Sequence, residues 1–95
     1  MNEIGYEERK EVYAAALEKW GMEAQAWMVI EEMSELAKEI CKARRGKHEP
    51  DEIADEIADV TIMLEQLRLM FNVNDLVCEH MDRKIVRLRE RLNKC

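Results

Sequence analysis

The chain has 95 residues, of which 47% are hydrophobic and 38% are charged, and its formal net charge is −6 at pH 7. This length and apolar content predict one globular domain over residues 1–95 and exclude a disordered chain. The negative charge argues against non-specific binding to nucleic acid or to an anionic membrane.

The composition predicts an all-α fold. The sequence contains only three Gly, one Pro and one Phe, and apolar residues recur at helical spacing in four segments. The segments run from Tyr6 to Lys19, from Met22 to a stop at Gly46, from Pro50 to about Phe71, and from an N-cap at Asn74 or Asp75 to fraying at Cys95. We therefore expect a four-helix bundle.

The second and third helices are expected to pack as an antiparallel hairpin, because the connection between them is short. Each has an apolar stripe that we expect to face the other helix. The stripes are Val29, Met33, Leu36 and Ile40 on the second helix, and Ile53, Ile57, Val60, Leu64, Leu67 and Phe71 on the third.

The cysteines predict a cytoplasmic protein. Cys41, Cys78 and Cys95 are odd in number and are not spaced as a zinc site, so we expect reduced thiols. The acidic N-terminus does not resemble a secretion signal, and no apolar run approaches the length of a membrane span.

Acidic residues recur on one flank of both central helices. At about 100° per residue, Glu32 and Glu35 lie about 300° and 240° from Val29 around the second helix. Glu56 and Asp59 have the same two offsets from the first apolar residue of the third helix. Packing of the two apolar stripes would therefore bring all four carboxylates to one side of the hairpin.

Four carboxylates at a half-buried position must be neutralised by protons or by cations. An all-oxygen cluster favours Mg²⁺, or alternatively Mn²⁺, over zinc or copper. The sequence therefore predicts a divalent metal site. The alternative is a solvated acidic surface, which is common on helices.

A cationic pair occupies the corresponding flank of the fourth helix. Lys84 and Arg87 lie about 300° and 240° from Met81, which matches the offsets of the acids. Beside a metal cluster, such a pair would suit a polyphosphate. The alternative is a solvated cationic surface that pairs with acidic residues.

The ordered acids also resemble a known family. "EEMSE" at 31–35 and "EIAD" at 56–59 match the EExxE…ExxD motif of the MazG-like all-α nucleoside triphosphate pyrophosphohydrolases. The flanking "KWGMEAQAWMVIEEMSELAKEI" at 19–40, "ADEIADVTIMLEQL" at 54–67 and "DRKIVRLRER" at 82–91 are similar to the family's surrounding helices. The resemblance covers roughly residues 17–90.

The resemblance implies Mg²⁺-dependent hydrolysis of a (deoxy)nucleoside triphosphate between the α and β phosphates, giving a monophosphate and pyrophosphate. By analogy, the catalytic metal ligands are Glu32, Glu35, Glu56 and Asp59, and the phosphate-binding residues are Lys84 and Arg87. One departure from the family is Asp82, because relatives often have Asn there, and an acid at this position would repel a phosphate or bind metal.

Two residues near the first turn are predicted to bind the base. Trp20 could stack on it and Gln25 could form hydrogen bonds with its edge, although core packing is an alternative for Trp20. We also expect a homodimer or homotetramer, as in the resembled family. A second subunit would cover Met22, Trp27, Met28 and Met63, which lie on or beside the carboxylate flank.

The competing hypothesis is a non-catalytic helical-bundle interaction module with a solvated acidic face. A di-iron carboxylate bundle is excluded, because it requires Glu-x-x-His motifs. The residues three positions before His48 and His80 are Arg45 and Val77.

Overall fold

A computed structural model of the chain describes residues 3–94. Within them lie four helices: α1 (Tyr6–Trp20), α2 (Met22–Arg44), α3 (Pro50–Met70) and α4 (Asn74–Leu92). No residue in this range forms a strand, so the predicted all-α fold with four helices is confirmed. None of the described helices is long and apolar enough to cross a membrane. The fraying expected at Cys95 lies outside the described residues.

The glycines end the first two helices as expected. Gly21 has a φ of +87°, and its N–H donates to the Leu17 carbonyl at 2.8 Å, which ends α1. A residue with a Cβ would be strained at this φ. Gly46 follows α2 with a φ of +70°. The sequence between 45 and 49 is therefore a short connection into α3.

The predicted N-cap of α4 is wrong. Val73 occupies the N-cap position, and Asn74 is already the first helical residue. The Asn74 side chain is used elsewhere, because its Oδ1 accepts a hydrogen bond of 3.5 Å from Arg68 Nη1. An N-cap side chain must accept from the backbone of its own helix. Here the guanidinium occupies that oxygen instead.

α2 and α3 form the antiparallel hairpin predicted from the sequence. Gln25, near the start of α2, accepts a hydrogen bond from Gln66, near the end of α3. At the other end, the pKa of Lys42 near the end of α2 is raised, chiefly by its hydrogen bond to Glu39 and to a smaller extent by the negative charge of Glu52 near the start of α3. The two helices pack more closely than any other pair among the described residues.

The contact between α2 and α3, which we call the hairpin seam, lies closer to the acidic flank of each helix than the apolar stripes predict. Val29 is buried as expected, but Met33 and Ile40 are 52% and 47% exposed. The buried positions of α2 are centred roughly 50° from the predicted stripe. On α3, Met63 is buried whereas the predicted core residue Ile57 is exposed. Glutamates and glutamines consequently enter the seam, and part of each apolar stripe remains on the surface.

A charged clamp attaches α1 to α3. Arg9 donates to the Glu65 carboxylate from Nε at 3.0 Å and from Nη2 at 3.1 Å, and the Tyr13 hydroxyl donates to it at 2.5 Å. Burial, together with the hydrogen bond to Glu65, raises the pKa of Tyr13 to about 12. The Arg9 guanidinium holds the pKa of Glu65 below its usual range. This clamp fixes α1 against the hairpin.

α4 is the most exposed helix. It packs on α3 near the connecting turn, yet none of its residues is buried. Its apolar residues follow helical spacing along one face and remain exposed. They are Met81, Ile85, Leu88 and Leu92.

Candidate metal centre

Three acids converge at the middle of the hairpin. Glu32 of α2 and the pair Glu56 and Asp59 of α3 each offer one carboxylate oxygen, and these atoms all lie within 4.8 Å of one another. Glu56 and Asp59 are three residues apart, so they share a face of their helix. The antiparallel packing brings Glu32 opposite them. The acid cluster, as we call these three residues, contains three of the four predicted metal ligands.

The fourth predicted ligand lies just outside the acid cluster. Glu35 is on the solvent side of α2, where its Oε1 is 3.6 Å from Lys38 Nζ. Its side chain is 51% exposed. Its charge still reaches the acid cluster, because it is among the causes that raise the pKa of Glu32 and of Glu56.

The carboxylates of the acid cluster repel one another. Burial raises the pKa of Glu32, and the negative charges of Asp59 and Glu56 raise it further. The pKa of Glu56 is also raised, first by burial and then by Asp59 and Asp55. A proton or a cation would relieve this repulsion.

The donor set fits a hard divalent cation. All three groups are carboxylates, the ligand type preferred by Mg²⁺ and Mn²⁺. In addition, Glu56 Oε2 is buried and has no hydrogen-bond partner within residues 3–94. A buried acceptor without a partner is costly, so a cation at this position would remove a penalty. The residues present are therefore compatible with the metal predicted from the sequence.

Glu39 is an acid of this region that the sequence reasoning missed. It is 94% buried, its Oε2 is 3.1 Å from Lys42 Nζ, and its Oε1 has no partner in the described part of the chain. Its charge contributes to the raised pKa of Glu56. Seven residues separate it from Glu32, which is a spacing that returns to the same helix face. That spacing could have placed Glu39 beside Glu32, but the prediction assumed that only the apolar stripe of α2 faces α3.

The predicted phosphate-binding residues have no contact with the acid cluster among the described residues. Lys84 and Arg87 are both exposed on α4, and neither forms an ion pair with any residue in the described range. The charges that most affect Glu32 and Glu56 are all acidic. Asp82 is also exposed. Within residues 3–94, α4 packs on α3 and not on α2, so no contact joins these cations to Glu32.

The two predicted base-binding residues have different environments. Trp20 is 57% exposed at the end of α1, where Lys19 Nζ lies 5.2 Å from its ring centroid. Gln25 is only 2% exposed, and its amide is occupied by Gln66 and by Met28, whose Sδ lies 3.7 Å from Gln25 Nε2. Trp20 is thus open to a ligand, whereas Gln25 is part of the hairpin seam.

No family model, no curated protein and no solved structure matches this chain.

Proposed function

We propose that this protein is a Mg²⁺-dependent hydrolase that cleaves a (deoxy)nucleoside triphosphate between the α and β phosphates. The products would be a nucleoside monophosphate and pyrophosphate, in keeping with control or cleaning of a nucleotide pool. The observation that supports this most directly is the convergence of Glu32, Glu56 and Asp59 within 4.8 Å of one another. The MazG-like order of these acids in the sequence supports the choice of substrate.

Glu32, Glu56 and Asp59 would hold the cation, and Glu35 is the nearest additional carboxylate. When bound, Mg²⁺ would screen the phosphate charge, polarise phosphorus and acidify a water molecule. The exposed pairing of Glu35 with Lys38 is weak, because solvent screens such ion pairs. Glu35 is thus available to join the acid cluster at little cost.

Glu56 is the proposed general base. A carboxylate oxygen of Glu56 that does not contact the cation could accept a proton from the attacking water. Burial and neighbouring acids raise the pKa of its carboxyl group. This raised pKa belongs to the metal-free protein, and a bound cation would lower it, so the role proposed for Glu56 rests on its position in the acid cluster.

The proposed enzyme works as a homodimer or homotetramer. Met22, Trp27 and Met28 are exposed as expected for a subunit contact, whereas Met63 is already buried in the hairpin. The apolar face of α4 is also uncovered. Residues 83–91 contain five basic residues and one acid, whereas residues 50–59 contain five acids and no basic residue. One copy therefore carries surfaces of complementary charge for another.

In this proposal, Lys84 and Arg87 reach the phosphates only within the assembly. In a single chain both residues are exposed, and neither is among the charges that most affect Glu32 and Glu56. An α4 helix from a second copy could supply both cations to the substrate. The departure at Asp82 would then lower affinity for phosphate by repulsion.

The test is release of pyrophosphate from a panel of NTPs and dNTPs, with Mg²⁺, Mn²⁺ or EDTA. The wild type is compared with Glu56→Gln and with the control Glu31→Gln, which removes a neighbouring exposed acid outside the acid cluster. We expect metal-dependent turnover that only Glu56→Gln abolishes. Equal turnover by all three proteins, or turnover in EDTA, would contradict the proposal.

A non-catalytic interaction module is the second candidate function. The observation that favours it is the uncovered apolar face of α4, which suits a helical partner. This alternative predicts no turnover and no change of stability with Mg²⁺. The interaction module is favoured if the folded protein shows no turnover and no stabilisation by Mg²⁺.

A further inference from the structure

An open groove of about 1180 Å³ lies beside the acid cluster. It runs between the C-terminal half of α2 and the first two turns of α3. Glu56 lines it and also belongs to the acid cluster, so the groove begins at the candidate metal centre. At its far end it reaches Arg45, directly after α2. The groove therefore extends in one direction only, toward the connection between the two helices.

The groove carries charges of both signs. α2 and the residue that follows it supply three cations and two acids, whereas α3 supplies four acids. The cations are Lys38, Lys42 and Arg45, and the lining acids are Glu35, Glu39, Asp51, Glu52, Asp55 and Glu56. Six acids and three cations give a net charge of −3. A bare anion would be repelled. An anion that brings divalent cations could contact the basic residues, while its metal ions contact the acids.

Two of the cations can bind an additional anion. Arg45 forms no ion pair with any described residue, so its guanidinium donors are available. Lys42 is 46% exposed and has one short contact, 3.1 Å from Nζ to Glu39 Oε2. An ammonium has three donors, and two therefore remain. Lys42 and Arg45 are one helical turn apart, and their mutual repulsion would be relieved by an anion between them.

We propose that this groove binds the β and γ phosphates of the substrate, and the pyrophosphate product, as a Mg²⁺ complex, with Lys42 and Arg45 contacting the phosphate oxygens. The inference rests on the proposed function for the identity of the ligand. It also sets the orientation of the substrate. The phosphate tail points toward the connection at 45–49, and the nucleoside points toward the turn that carries Trp20.

The test is calorimetric titration of the full chain with sodium pyrophosphate, in Mg²⁺ and in EDTA. The variants are Arg45→Gln and its matched control Arg44→Gln, which removes the same charge from the adjacent residue that does not line the groove. Charge-assisted hydrogen bonds are strong, and solvent screening reduces their effect here. We expect the Kd for pyrophosphate to rise about tenfold in Arg45→Gln and less than twofold in Arg44→Gln. Binding should be lost in EDTA.

The outcomes separate this inference from the proposed function. Equal Kd values for the two variants, no binding by the wild type, or unchanged binding in EDTA would overturn the inference, even if nucleotide turnover requires Glu56. Conversely, Mg²⁺-dependent binding weakened only by Arg45→Gln would support the groove as a phosphate site. If no nucleotide is hydrolysed in that case, the proposed reaction fails while the groove assignment stands.

Discussion

Removing one charge from the acid cluster should stabilise the metal-free protein. In Glu32→Gln, the neutral amide keeps the size of the side chain but no longer repels Asp59. Unit charges 4.8 Å apart, the greatest separation within the acid cluster, repel by about 0.9 kcal/mol in bulk water and about 3.5 kcal/mol at an effective dielectric constant of 20. Solvent screening at this half-exposed position favours the lower value. We therefore expect a gain of about 1–2 kcal/mol.

The assay is thermal unfolding in EDTA at pH 7, followed by helical circular dichroism. A gain of about 1 kcal/mol raises the midpoint by about 4–8 °C in a domain of this size. Glu31→Gln is the matched control, since it removes a charge from an exposed neighbour outside the acid cluster. Its midpoint should remain close to that of the wild type. An unchanged or lower midpoint for Glu32→Gln would refute the proposed repulsion.

The stability gained in Glu32→Gln should depend on pH. The pKa of Glu32 is raised in the folded state by burial and by neighbouring acids. The folded state therefore holds the proton more tightly than the unfolded state, and wild-type stability falls as pH rises from the ordinary pKa through the raised one. The advantage of Glu32→Gln should be present at pH 7 and disappear near pH 4, where the Glu32 carboxyl group is protonated.

Added Mg²⁺ should reverse the order of stability. A ligand at 100 times its Kd stabilises the folded state by about 2.7 kcal/mol. The wild type should gain this stabilisation, whereas Glu32→Gln should lose most of it because one proposed ligand is missing. Equal stabilisation of both proteins would exclude Glu32 as a metal ligand.

Three further predictions concern the hairpin, the clamp and the assembly. Gln66→Ala leaves the buried Gln25 amide without its partner, so urea unfolding should show a loss of about 1–3 kcal/mol. Tyr13 should ionise at about pH 12 in ultraviolet titration. Because its pKa is raised in the folded state, its contribution to the free energy of unfolding should be constant below pH 10 and be lost as the pH rises through 12. Leu88→Glu should reduce the mass measured by light scattering to that of a monomer, whereas Arg83→Gln, with the same change of charge on the opposite face of α4, should not.

Features governed by local chemistry were predictable from the sequence. Gly21, Gly46 and Pro50 mark the limits of three helices, because the conformational preferences of Gly and Pro act over one or two residues. The convergence of Glu32 with Glu56 was also predictable, since a short connection forces α2 and α3 to be antiparallel. These expectations required only helical geometry and one hairpin.

The exact seam of the hairpin was not predictable. A single helix with apolar residues over a wide arc, such as Met33 and Ile40 beside Val29, does not specify which part faces its neighbour. The hydrogen bond between Gln25 and Gln66 joins residues 41 positions apart and leaves no local pattern. The rotation that buries this pair also draws acids into the seam, which is why the burial of Glu39 was missed.

The most direct test of the central claim is ³¹P nuclear magnetic resonance of the products formed from nucleoside triphosphates in Mg²⁺. The wild type should produce nucleoside monophosphate and pyrophosphate, and a folded Glu56→Gln variant should produce neither. Orthophosphate with a nucleoside diphosphate would contradict cleavage between the α and β phosphates. Equal product formation by the Glu56→Gln variant would contradict the assignment of the acid cluster as the catalytic site.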